Sequence, residues 1–196
     1  MTYYAEFQTD KIIRDKYFPD LSYKGIMVEV GAATPHSISM SNHFRENGWR
    51  CVCIDPNPRF AQEHRVLGNE IYEVACSWDE RDSDFTIVGD GLSYSAIDIK
   101  YGGAELIPST TIKIKVRRLN DMLKELGIDK IDFLSIDTEG WEIEVMMGFN
   151  AYKYNPKVIL LENYTNDPFY DRYMTDIGYI RDESVHYNHI YIRDGQ

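Results

Sequence analysis

Short apolar runs of strand length alternate along this chain with segments of helical periodicity, and several of the runs end on a glycine, a carboxylate or a small polar residue. Gly25 to Val30 (GIMVEV), Arg50 to Ile54 (RCVCI), Ile71 to Ala75, Ile131 to Ile136 (IDFLSI) and Lys157 to Leu161 (KVILL) read as strands. Between them, Ser37 to Asn47 places Met40 and Phe44 on one helical face with Gly48 to end it, and Arg118 to Leu126 does the same with Leu119, Met122, Leu123 and Leu126. Further helices are expected from Pro58 to about Arg65, from Trp141 to Met147 before Gly148, and from Phe169 to Asp176. Strand–helix alternation of this kind folds as a doubly wound α/β sheet, whose ligand sits at the carboxyl ends of the strands.

Two features modify that plan. Phe85 to Val88 and Thr110 to Val116 alternate with a period of two, which predicts an inserted antiparallel pair around the irregular stretch from Gly89 to Ser109. Tyr179 to Ile180 and His189 to Arg193 lie too close together for a crossover helix and are expected to pair antiparallel. With 196 residues and no linker or repeat, the chain is expected to form one domain over 1–196, with a helical segment over about residues 1–20.

Charge narrows the partners. Lys and Arg number 21 against 32 Asp and Glu, a net charge of −11, which argues against nucleic acid as a partner. No apolar run approaches a membrane span and Met1 to Phe18 lacks the pattern of a signal peptide, so a cytoplasmic protein is expected. Three cysteines, with Cys51 and Cys53 two apart on one strand, lack the spacing of a zinc site; buried free thiols and no metal are expected.

The strand ends carry the chemistry. After the first strand, Gly31, Ala32 and Ala33 allow a tight turn and close approach of backbone to a nucleotide-like ligand, and an ordinary strand-to-helix turn has the same appearance. After the second, Asp55 can accept from a ribose diol or begin an Asp-Pro turn. After the third, Ala75, Cys76 and Ser77 offer backbone groups where an adenine edge would lie, and Trp78 can pack or stack. Asp137 and Glu139 follow the strand expected at the sheet centre, in Asp137-Thr138-Glu139-Gly140.

Asp132 to Glu144 (DFLSIDTEGWEIE), followed by Met146-Met147-Gly148-Phe149 and by Val158 to Glu162 (VILLE), resembles the signature of the FkbM-type methyltransferases. Glu29 to Ala33 (EVGAA) is similar to that family's first motif, Asp55-Pro56-Asn57-Pro58 to its acidic-Pro-Asn-Pro segment, Ala75 to Ser77 to its turn after the third strand, and Arg118-Leu119-Asn120-Asp121 to its Leu-Asp-Asp element. The resemblance runs from about Val28 to Ile192, with Pro35 where the family often has Gly and Asp55 where Glu is more usual.

The resemblance implies a class I, Rossmann-like methyltransferase sheet of about seven strands with the last strand antiparallel, and S-adenosyl-L-methionine as cofactor. It implies cofactor contacts at Glu29, Gly31, Ala32, Ala33, Asp55, Asn57, Ala75, Cys76, Ser77 and Asp137, with Asp137 near the methionine ammonium and sulfonium. The expected reaction is O-methylation of a hydroxyl on a sugar, glycan or small natural product. Methyl transfer is an in-line displacement governed by positioning, and an alcohol acceptor also loses a proton. Glu139 is the first candidate base, with Glu162 and His36 as others, and Asp137 is a second catalytic candidate. Loops holding His36, Ser93, Glu162 and Asn163 are expected to meet the acceptor, a small molecule or glycan. His186 and His189 read as structural or acceptor-edge residues, and most of the 15 Tyr as packing. Lys113, Lys115, Arg117 and Arg118 read as a solvated face or an anchor for an anionic acceptor. An NAD-linked oxidoreductase and a non-catalytic cofactor-binding relative are the alternatives.

Overall fold

The computed structural model describes residues 1–89 and 109–195. After a 3-10 turn at Glu6–Gln8 the elements are α1 (Thr9–Tyr17), β1 (Ile26–Val30), α2 (Met40–Glu46), β2 (Arg50–Ile54), α3 (Pro58–Val66), β3 (Glu70–Tyr72), β4 (Ala75–Cys76), β5 (Arg81–Val88), β6 (Ser109–Arg117), α4 (Leu119–Glu125), β7 (Phe133–Ile136), α5 (Glu142–Met147), α6 (Ala151–Tyr154), β8 (Val158–Glu162), α7 (Pro168–Asp176), β9 (Tyr179–Val185) and β10 (Asn188–Arg193). Seven strands form one sheet in the order β3-β2-β1-β7-β8-β10-β9, in which β10 runs antiparallel to both β8 and β9. A smaller sheet, β4-β6-β5, pairs β5 with β6 antiparallel from Arg81 opposite Val116 to Val88 opposite Ser109.

Both faces of the main sheet are covered, which is why its central strands read as nearly continuous apolar runs. Val28, Val52, Leu134 and Ile159 point to the side packed by Leu119, Leu123, Tyr154 and Met174. Met27, Cys51, Phe133 and Leu160 point to the opposite side, against Ile13, Phe44 and Trp49. Cys51, Cys53 and Cys76 are free and buried, and burial raises the pKa of each thiol.

The run Ile71 to Ala75 is not one strand. Val74 N–H donates to the Tyr72 carbonyl at 3.0 Å, a tight reversal that ends β3 and hands Ala75 and Cys76 to the smaller sheet, where they pair with Val116 and Arg117. Helix α6, which has no amphipathic period long enough to read, is set by its caps: the Asn150 side chain accepts from Lys153 N–H and Asn155 closes it in the left-handed region. Lys113 and Lys115 pair with Asp84 and Asp82, Arg117 with Glu80 and Glu125, and Arg118 with Asp121, so each cation of the basic cluster has an acidic partner. Among the described residues no helix is long and apolar enough to cross a membrane. Ser93 lies outside the described residues.

Candidate active site

The chain leaves β1 toward β2 on one side and returns through β7 on the other, so the strand order reverses between β1 and β7, the place where open α/β sheets hold ligands. Gly31 sits there with φ +84°, and a Cβ on it would collide with the Asp137 carbonyl oxygen. The two strand ends are further tied by Asp137 N–H donating to Val30 at 3.0 Å, and Gly31 N–H donates to Ile54 at 2.9 Å. Ala33 and Glu139 both adopt left-handed backbone, at φ +44° and +57°, conformations that non-glycine residues take only where the surroundings hold them.

Carboxylates hold these loops. Asp55, buried at the end of β2, accepts from Ala33 N–H at 2.9 Å and from Asn57 N–H at 2.8 Å, fastening the glycine loop to the start of α3. Burial pushes its pKa up to about 6. Glu29, on the sheet face that carries Met27 and Cys53, accepts from Met40 and Ser41 N–H at 2.9 and 3.2 Å, and so holds the first turn of α2. Burial raises it to about 7. The Asn57 side-chain oxygen caps α3 through Arg59 N–H, and its buried Nδ2 has no partner among the described residues.

Glu142 organises the Asp137-to-Gly140 loop. Its Oε1 accepts from Thr138 N–H, Thr138 Oγ1 and Gly140 N–H at 2.8, 3.1 and 3.0 Å, and its Oε2 from the Tyr170 hydroxyl at 2.6 Å. Sequence reasoning missed this residue; the signal was a glutamate at the second position of an expected helix, where it can turn back onto preceding N–H groups. His64 was missed too: its Nε2 lies 3.2 Å from the Ala33 carbonyl and its Nδ1 3.2 Å from Asn69 Nδ2, a tertiary arrangement with no local signature.

The remaining expected site residues fall in three places. Ser77 is buried, accepts from Trp141 Nε1 at 3.2 Å and receives the close approach of Gly148, so the end of β4, with Ala75 and Cys76, abuts the β7 loop. Asp137, Glu139 and Glu162 gather at the ends of β7 and β8; burial first, then the charge of its acidic neighbours, raises the pKa of Asp137, and the same causes raise Glu162. Asp137 keeps an exposed face, whereas Glu162 is 7% exposed and its Oε2 has no partner among the described residues. His36 is exposed on the loop before α2, and Asn163 spends its side-chain amide on the Asp167 backbone at 3.0 and 2.8 Å. Beyond Glu162 a depression of about 770 Å³ is lined by Asn163, Tyr164, Asn166, Arg181, His186 and Tyr187 among others. His189 also borders it, with its Nδ1 3.2 Å from Arg181 and its pKa lowered by burial and by that cation.

The model of the methyltransferase FkbM domain family matches residues 29–187. A crystal structure of methyltransferase FkbM from Methylobacillus flagellatus KT superposes with a TM-score of 0.57 at 15% identity, over 90% of this chain and 46% of that one, a likeness of fold in which this chain spans less than half the length of its counterpart. No curated protein matches the sequence at a significant level.

Proposed function

The chain belongs to the methyltransferase FkbM domain family, and on that premise we propose that it transfers a methyl group from S-adenosylmethionine to a hydroxyl of a sugar, glycan or small natural product. The observation that carries the reading is the contact of Gly31 with the Asp137 backbone, with Asp55 at the next strand end. The unmatched buried groups fit the cofactor: Asn57 Nδ2 is a donor suited to a ribose hydroxyl, and Glu162 Oε2 is an acceptor on the side of the cationic end.

When bound, the cofactor supplies a methyl carbon made electrophilic by a sulfonium. The chain's own residues do the rest. Asp55 and Asn57 hold the ribose, Gly31 and Ala33 give the amino-acid end room, Ala75 to Ser77 frame the base, and Asp137 attracts positive charge in a partly dry cleft. Glu139 is held beside Asp137 by a strained backbone and accepts the acceptor's proton. His36 and Asn163 border the acceptor, which enters from the depression beyond Glu162, where amide and tyrosine side chains suit a hydroxyl-rich ligand.

Incubation with S-adenosylmethionine labelled in the methyl group and a panel of neutral hydroxyl acceptors tests this. We expect label on oxygen, cofactor affinity at least tenfold weaker in Asp55→Ala, and turnover lowered about 100-fold in Glu139→Gln with cofactor affinity retained. Tight binding of NAD in place of S-adenosylhomocysteine contradicts the reading, and undiminished turnover in Glu139→Gln removes Glu139 as the base.

A further inference from the structure

The register of β7 and β8 pairs Ile136 with Leu161, so the next residues along, Asp137 and Glu162, stand side by side. Alternation puts both on the sheet face that carries Phe133 and Leu160, and burial, then the charge of Asp137, raises the pKa of Glu162. Two ionised carboxylates cannot donate to one another; a hydrogen bond between them requires a proton. Asp137 presents an exposed face to the cleft, and behind it Glu162 is buried with Oε2 unpartnered among the described residues.

Resting on the methyltransferase reading, we propose that Glu162 is a positioning residue that acts through Asp137: the pair shares one proton in the ligand-free protein and gives it up when the cationic end of the cofactor binds at Asp137. The bond that breaks is the carboxyl O–H, the electron pair stays on oxygen, and the proton leaves to solvent. Proton and cation therefore compete for one place.

The groups facing the pair make a shared proton the stable arrangement. Glu139 from the β7 loop, Glu142 from α5 and Glu29 from β1 all add negative charge to Asp137, and Tyr187 of the β9–β10 turn senses both carboxyls. Tyr170 of α7 reaches this cluster only through Glu142. Like charges crowded in a poorly hydrated place hold protons above the usual carboxylate range, and a cation arriving there reverses the effect. Since the free pair binds the proton and the complex does not, cofactor affinity rises with pH and levels off once the free pair is ionised.

Calorimetry of S-adenosylmethionine binding in two buffers of different ionisation enthalpy counts the protons released. Wild type should release about one proton below the pair's titration and gain close to tenfold in affinity per pH unit there. Glu162→Gln, which can still hydrogen-bond to Asp137 but holds no titratable proton, should bind with no release and a flat pH profile. Carbon-13 NMR of the ligand-free wild type should show one carboxyl of the pair titrating above neutrality, a readout that needs neither ligand nor variant. Binding without proton release in wild type, a Glu162→Gln profile matching wild type, or both carboxyls titrating near pH 4 overturns the proposal and leaves the methyltransferase reading standing. No heat of binding at any pH overturns that reading and this one together.

Discussion

A methyl group at Gly31 would collide with the Asp137 carbonyl oxygen, and the backbone there is already left-handed, so two penalties act at one position. Gly31→Ala should lower thermal stability by several degrees and abolish binding of S-adenosylhomocysteine, measured by thermal melts with and without the ligand. Glu29 carries a different signature. Its pKa stands at about 7 in the folded protein against an ordinary 4.5, so the native state keeps a proton that the unfolded chain has lost. Its contribution to stability is therefore full below about pH 4.5 and is lost as pH rises through 7. Glu29→Gln should match wild type near pH 5 and exceed it in melting temperature near pH 8; the same difference at both pH values contradicts the burial account. At this scale the sequence made the placement of Gly31, Asp55 and Asp137 at strand ends legible, because each directly follows an apolar run. It hid His64 and the buried side of Glu162, whose partners or lack of them depend on segments far apart in the chain.

Among the elements, α5 depends on a carboxylate facing backward. Glu142 receives the Tyr170 hydroxyl from α7 while holding the loop that carries Asp137 and Glu139, so one side chain joins a helix, a loop and a second helix. Tyr170→Phe leaves Oε2 of a fully buried carboxylate short of a donor and should cost about 1 to 3 kcal/mol in denaturant unfolding. It should also weaken turnover more than a surface substitution such as Tyr152→Phe. The strands were readable from apolar runs and the long helices from period, and the hairpin at the end followed from its short connection. The break between β3 and β4 was not, because Ile71 to Ala75 has strand composition throughout and only a local reversal at Tyr72 and Val74 divides it. The four-residue α6 was likewise invisible to periodicity, being set by capping alone.

For the molecule as a whole, a sheet buried on both faces brings carboxylates from β1, β2, β7 and β8 to one end, inside a chain that already carries a net charge of −11. The family match implies a cationic cofactor, the strand order reverses between β1 and β7 where we propose that it binds, and the acidic surroundings favour a neutral or cationic acceptor over an anionic one. That arrangement rests on the ends of β1, β2 and β7 forming one cradle. A crystal structure with S-adenosylhomocysteine measures it most directly: ribose hydroxyls on Asp55, the adenine against Ala75 to Ser77 and the sulfur facing Asp137 and the depression beyond Glu162 are the expected result. Ligand lodged anywhere else, with Asp55 and Asp137 untouched, would contradict the account.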